Sequence, residues 1–150
     1  MKMIFHYFKF FVICVFTFYF FSSCTSGNIA PKDKKKLVIR IIGSDPSTGK
    51  LILIDEQGDT AENFQAWSGQ KIKWDIDDRS NVKSIKDIFP KANNQTVFSE
   101  KPKKLFLSKN WQGTLKETKD TLFENYNIDW IEKDNDYKHT YDPLIQVNPK

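Results

Sequence analysis

The chain has few of the side chains on which metal sites and nucleophilic catalysis depend. Its 150 residues include two cysteines, two histidines and two methionines. Five of these six residues lie within the first 24 positions, and the sixth is His139. A zinc site needs several histidine, cysteine or carboxylate ligands, and the nucleophile pattern G-x-S-x-G is missing. We therefore expect no metal, no cofactor and no enzymatic activity in the chain beyond residue 24.

The chain also has little excess of charge. The net charge is +4, and leaving out residues 1–23 removes two lysines and no acidic residue, so that 21 basic and 19 acidic residues remain. A protein that binds nucleic acid needs a concentrated basic surface. A balance near +2 argues against nucleic acid as a partner.

What the sequence does have is an aromatic start with the three parts of a secretory signal. Lys2 and Lys9 carry positive charge, Phe10–Phe21 forms an apolar run of 12 residues, and two serines then precede Cys24. Crossing a bilayer takes roughly 20 apolar residues, which makes a permanent transmembrane helix the weaker interpretation.

The four residues Phe21–Cys24, "FSSC", resemble the lipobox of bacterial lipoproteins, with phenylalanine where that family usually has leucine. The resemblance implies a signal peptide of residues 1–23, cleavage before Cys24, and diacylglycerol and palmitate-type acylation at Cys24. It also implies an anchor in the outer membrane, on either its periplasmic or its surface face. Cys14 would leave with the signal, so the mature chain would have no free thiol. An ordinary signal or an uncleaved anchor with an incidental cysteine are the alternatives.

Residues 24–36 are small, polar and charged, and we interpret them as a lipidated tether. Lys32, Lys34, Lys35 and Lys36 could contact an anionic membrane, although solvation of the tether is the simpler explanation. Residues 37–150 then make one domain, since 114 residues suffice for a single core.

The domain has the periodicity of strands rather than helices. In "KIKWDID" (71–77) and "YNIDW" (126–130), apolar and polar residues alternate. "LVIRII" (37–42) and "LILID" (51–55) are apolar on both faces, as expected for strands buried centrally in a sheet. "NVKSIKDIF" (81–89) suits either a short helix or a bent strand. Frequent turn compositions between these segments predict an all-β fold, a single antiparallel β-sandwich.

Two stretches resemble known domains. "GQKIKWDIDD" (69–78) is similar to a strand of cupredoxin-like domains, which implies a cupredoxin-like or immunoglobulin-like sandwich. A blue-copper site takes two histidines and a cysteine, so this resemblance implies a metal-free member. The ending "YNIDWIEKDNDYKHTYDPLIQVNPK" resembles a closing hairpin and last strand of secreted domains from Bacteroidetes-type bacteria.

Large aromatic residues supply the expected core and the candidate ligand sites. We expect the core to contain Trp74, Trp111, Trp130, Phe98 and Phe106. Trp67 and Trp111 are flanked by turn residues, so an exposed ring there could stack on a sugar, although packing is the favoured role for both.

The remaining polar candidates have structural explanations. His139 is expected to be a half-buried structural residue. Two groups of carboxylates, Asp75, Asp77 and Asp78, and Glu132, Asp134 and Asp136, are interpreted as solvated, charge-paired surfaces and not as calcium sites. The sequence thus predicts a lipid-anchored binding or structural-interaction module of the cell envelope, whose partner is another envelope component, either a protein or a polysaccharide. A carbohydrate-binding lipoprotein that uses Trp67 or Trp111 is the alternative.

Overall fold

The computed structural model describes residues 31–91 and 96–150, all of which are strand, turn or irregular chain. The predicted signal peptide, Cys24 and the first part of the tether lie outside the described residues. The strands in chain order are β1 (Lys36–Asp45), β2 (Lys50–Ile54), β3 (Asn63–Trp67), β4 (Lys71–Ile76), β5 (Val82–Pro90), β6 (Phe98–Lys104), β7 (Trp111–Leu115), β8 (Leu122–Glu132), β9 (Lys138–Tyr141) and β10 (Leu144–Asn148).

These strands form two sheets. The first has the order β2-β1-β4-β7-β6, and the second has the order β3-β10-β8-β5, with β9 paired to β8 beside β10. The predicted all-β sandwich is confirmed. It is not wholly antiparallel, because β1 runs parallel to β4 and β3 runs parallel to β10. In both parallel pairs, other strands lie between the two partners in the chain. Local sequence patterns do not reveal such pairings.

The core lies between the sheets and is centred on three aromatic rings. Trp74 on β4 lies 5.9 Å from Phe98 on β6 and 5.8 Å from Tyr126 on β8, measured between ring centroids. The Trp74 indole Nε1 donates to the Tyr126 hydroxyl at 3.2 Å, so this contact joins the two sheets. Burial raises the pKa of the Tyr126 hydroxyl far above its usual range, which keeps it neutral as the partner of the indole.

Alternation is a better guide to burial here than total apolarity. In β4, Ile72, Trp74 and Ile76 are buried, as the pattern predicts. The prediction that residues 37–42 and 51–55 are buried on both faces is wrong, since β2 is an edge strand and no layer formed by residues 31–91 and 96–150 covers the outer face of its sheet. Ile42 is 39% exposed and Ile52 is 46% exposed.

Two further segments differ from a regular strand or from the predicted core. The ambiguous stretch 81–89 is the bent strand β5, whose pairing with β8 shifts register twice. Phe106, expected in the core, is 91% exposed because it lies on the turn between β6 and β7 and not on a strand face. This residue therefore becomes a candidate for surface recognition.

Candidate functional site

The register of the first sheet defines two ends of the domain. Lys36 at the start of β1 pairs with Lys71, which pairs with Thr114 on β7. On β7, Trp111 lies three residues away from Thr114 and pairs with Lys104 next to the β6–β7 turn. The β6–β7 turn and the point where the chain enters β1 are therefore at opposite ends of the sheet. We call these the distal end and the proximal end.

Turns from both sheets meet at the distal end. Because β8 runs antiparallel to β10, and β3 ends beside the start of β4, the end of β8 lies on the distal side. The β1–β2, β4–β5 and β8–β9 turns consequently accompany the β6–β7 turn. Lys133 N donates to Asn81 O at 2.9 Å, which ties two of these turns together. A surface made of turns on a rigid sandwich is a common place for binding residues.

At the proximal end, the chain before β1 is held against the domain. The buried Gln70 side chain in the β3–β4 turn donates to the backbone oxygens of Pro31 and Lys34, at 2.9 and 2.6 Å. Lys34 also forms an ion pair with Glu56. The last part of the predicted tether, residues 31–36, thus packs on the domain, and its Lys34 side chain is paired with a carboxylate of the domain.

The two tryptophans considered as sugar platforms differ in accessibility. Trp111 is only 7% exposed and occupies the middle of the first sheet, between Trp74 and Lys104. Trp67 is half-buried, and the Lys32 Nζ lies 5.1 Å from the centroid of its ring. Trp111 therefore has no free face for a sugar, and one face of Trp67 is in contact with the chain that precedes β1.

His139 on β9 is half-buried, as predicted. Its imidazole stacks on Trp130 with a centroid separation of 4.4 Å and an interplanar angle of 21°. The Trp130 indole in turn donates to Gly49 O at 3.1 Å, so the histidine belongs to the contact between the β1–β2 turn and the second sheet. The His139 Nε2 lies 3.7 Å from Glu132 Oε2, beyond hydrogen-bond distance. The surroundings of His139 are those of a packing residue.

Lysine or arginine side chains pair with four of the six carboxylates in the two groups, namely Asp75, Asp77, Asp78 and Asp136. Asp77 accepts from Arg79 N at 2.9 Å and from Arg40 Nη2 at 3.2 Å. The backbone N–H and side chain of Arg79, assisted by Arg40, lower the pKa of Asp77 to about 2. Asp75 lies 3.3 Å from Lys73, and Asp136 lies 2.6 Å from Lys83. Within residues 31–91 and 96–150, no group of three or more histidine, cysteine, aspartate or glutamate side chains is arranged to hold a metal ion.

The most unusual feature of the distal end is the tip of the β6–β7 hairpin. Leu105 N donates to Asn110 O at 2.8 Å, and Asn110 N donates to the Ser108 hydroxyl at 3.0 Å, so the turn is internally closed. Phe106 and Leu107 project from it and are both 91% exposed. We call these two residues the apolar tip. Adjacent bulky apolar side chains with this degree of exposure are expected at a contact site.

Lysines surround the apolar tip. The hairpin strands and turn contain Lys101, Lys103, Lys104 and Lys109 and one acidic residue, Glu100. Three of these lysines form ion pairs with carboxylates, and all three pairs lie at the surface of the domain. Such exposed pairs contribute little to stability and exchange readily with other partners. The apolar tip is thus a pair of exposed apolar side chains with lysines around it.

The hairpin is fixed to the domain at Gly113 on β7. A Cβ at this position would lie 3.0 Å from Phe98 Cδ1 and 3.1 Å from Pro102 Cγ, so β6 packs directly over the glycine. The exposed tip is therefore carried by a hairpin whose base is part of the core.

We expect Gly113→Ala to destabilise the domain, because the added methyl group would force Phe98 and Pro102 away from β7. Overpacking of this kind costs about 1–3 kcal/mol, which thermal or urea unfolding would measure. Gly43→Ala is the matched control, since a Cβ at Gly43 would lie 3.4 Å from Ile52 Cδ1 and 3.8 Å from Asn81 Oδ1, which are ordinary van der Waals distances, and Gly43 has no positive φ. An unchanged melting temperature for Gly113→Ala would show that β6 moves freely over β7.

No model of a known protein family matches the chain, and no curated protein is similar to it. In the part of the chain that the structure describes, no helix is long and apolar enough to cross a membrane. Function must therefore be argued from the surface of the domain itself.

Sequence reasoning missed the apolar tip because it weighed Phe106 by its volume. A local signal was present: in "LFLSKN" (105–110), three apolar residues are followed directly by serine, lysine and asparagine, a composition typical of turns. Gln70 had no such signal, since its role depends on the chain before β1 folding back on the β3–β4 turn.

Proposed function

We propose that this protein is a lipid-anchored binding module of the bacterial cell envelope and has no catalytic activity. The resemblance of Phe21–Cys24 to a lipobox supports the anchor, which would leave the mature chain attached through acyl chains on Cys24. The proposed location is the outer membrane, with the proximal end of the domain nearest to the anchor. For its family of folds we propose a metal-free sandwich that is either cupredoxin-like or immunoglobulin-like.

The observation that carries this proposal is the position of the apolar tip. Phe106 and Leu107 lie at the end of the sheet opposite to the entry of the tether, where an anchored domain can present them to a partner. Exposing two apolar side chains to this degree costs free energy, and a partner that covers them removes this cost. A contact role explains why they are placed outside the core.

A binding role also agrees with the chemistry of the polar residues. The single histidine of the domain stacks on Trp130, and Asp77 and Asp136 at the distal end form ion pairs with neighbouring basic groups. The carbohydrate alternative has less support, because Trp111 is buried and Trp67 is in contact with Lys32.

Photocrosslinking in living cells tests this proposal. A benzophenone amino acid would replace Phe106 in one variant and Phe123 in the other. Phe123 is the matched control, since it is also an exposed phenylalanine, at 63%, but lies on the proximal half of β8. We expect adducts, with either protein or lipid, to be several-fold more abundant at position 106. Equal yields at both positions would contradict a contact site at the tip.

A further inference from the structure

We propose that the apolar tip inserts Phe106 and Leu107 into the headgroup region of an anionic lipid bilayer, with the surrounding lysines held at its surface. This inference deepens the proposed function, on which it rests for the anchor at Cys24, by naming the chemistry of the partner.

The shape of the tip favours lipid over protein. Phe106 and Leu107 protrude from a turn at 91% exposure, whereas the other exposed apolar side chains of β1, β2 and β8 lie on sheet faces at 39–63%. The centre of a protein interface is usually a packed patch that a partner covers from one side. Two adjacent protruding side chains have little packed surface around them and suit a fluid medium that closes around them on all sides.

The charge around the tip fits an anionic surface. Lys103 and Lys104 at the end of β6 precede the tip, and Lys109 in the turn follows it, so that basic side chains lie on both sides of the apolar pair in the sequence. Lysine can extend its ammonium group toward lipid headgroups while its methylene chain lies along apolar material. Anionic lipids attract lysines that lie close to the surface of the bilayer. The lysines also protect β6 as an edge strand, but that role does not require the apolar pair.

At one position of the tip, an apolar residue has a backbone conformation that other residue types adopt more easily. Leu107 has a φ of 53°, in the left-handed region that glycine and asparagine adopt more easily. A leucine in this conformation is less stable than asparagine would be. Its exposed side chain makes no compensating contribution to the core, which points to a contribution from a contact outside the domain.

The tether is long enough for the anchor and the tip to meet one bilayer. Lys36 and Trp111 are three residues apart along the strands, about 10 Å, and the turn extends the hairpin by about as much again. Six residues separate Cys24 from Pro31 and can span up to about 22 Å. A domain that tilts toward its β6–β7 side therefore places Cys24 and the apolar tip on the same membrane surface.

An environment-sensitive fluorophore on the full acylated protein tests the inference. Phe106→Cys and Phe123→Cys would each supply a single reactive thiol if Cys24 is acylated, and each variant would be reconstituted in vesicles of phosphatidylglycerol and phosphatidylethanolamine. We expect the label at position 106 to shift its emission to the blue and to be quenched by spin-labelled lipid several-fold more than the label at 123. The difference should shrink in phosphatidylcholine vesicles and at high salt.

Leu107→Asn separates membrane contact from folding. This change removes the apolar side chain and suits the positive φ, so we expect the melting temperature to stay equal or rise while quenching at position 106 falls. A structural role for Leu107 predicts the reverse.

The outcomes distinguish the inference from the proposed function. A protein that floats with the vesicles while its label at 106 reports water overturns the lipid inference, leaves the anchor intact and points to a protein partner. A protein that takes up two labels and does not float with the vesicles overturns both.

Discussion

Trp74→Ala is expected to remove about 3–5 kcal/mol from the free energy of unfolding. Trp74 is completely buried, and its ring contacts Phe98 in its own sheet and Tyr126 in the opposite sheet. Alanine would leave a large cavity between the sheets and would also orphan the Tyr126 hydroxyl, which accepts from the indole. Domains of this size have about 5–15 kcal/mol of stability in total, so the variant should populate the unfolded state at low urea concentration. Equilibrium urea unfolding followed by circular dichroism would measure the loss.

Tyr126→Phe is the matched control for this core. It keeps the ring that packs on Trp74 and Phe98 and removes only the hydroxyl, which leaves the indole N–H unpaired. We expect a smaller loss of about 1–3 kcal/mol. If both variants lost the same amount, the hydrogen bond and not the packing would dominate the contact between the sheets. A loss below about 1 kcal/mol for Trp74→Ala would mean that the core collapses around the cavity.

The sequence predicts those parts of the fold in which one face of a strand is buried and the other is wet. In β4 and the second half of β8, polar and apolar residues alternate, and Ile72, Trp74, Tyr126 and Trp130 point into the core as expected. When a strand is buried on one face only, apolar and polar residues alternate along it. This alternation can be recognised in the sequence without knowing which strands are its neighbours.

The same reasoning fails for β1 and β2, because apolarity on both faces does not require burial on both faces. Ile42 and Ile52 lie on the outer face of their sheet, where no other described part of the chain covers them. The parallel pairings have a similar origin, since β1 meets β4, and β3 meets β10, only after the chain has passed through other elements. These features depend on the topology of the whole chain and leave no local pattern. The resemblance to cupredoxin-like domains stays a prediction.

The candidate site was only partly predictable for a related reason. A phenylalanine between lysines can belong to the core or to a turn, and its volume alone favours the core. Phe106 lies on a turn because the residues after it, Ser108 to Asn110, close the hairpin through backbone and side-chain hydrogen bonds. The alternation of buried and half-buried residues in β7 begins at Trp111, which places the turn just before Trp111. Reading the end of a strand is therefore more informative than counting large side chains.

Cys24→Ser is expected to abolish acylation and to release the protein from its lipid anchor. Serine has no thiol to receive the diacylglyceryl group, so no acyl chain can be attached at position 24. Burial contributes about 0.8 kcal/mol for each CH₂, or on the order of 12 kcal/mol for a chain of about sixteen carbons. Losing two or more chains thus changes membrane affinity by more than any substitution in the domain. Incorporation of an alkyne-tagged palmitate and the intact mass of the purified protein would measure the change.

Cys14→Ser is the control, because Cys14 lies within the apolar run Phe10–Phe21 and leaves with the signal peptide if cleavage occurs before Cys24. We expect this variant to incorporate palmitate and to have the mass of a mature chain that begins at Cys24. A wild-type protein with no palmitate and a cut at another position would support an ordinary signal, and an unlabelled chain of all 150 residues would support an uncleaved anchor. Either result would remove the acyl anchor from the proposal. The apolar tip would then have to hold the domain at a membrane alone, with two side chains and a few lysines, and binding would become weak and sensitive to salt.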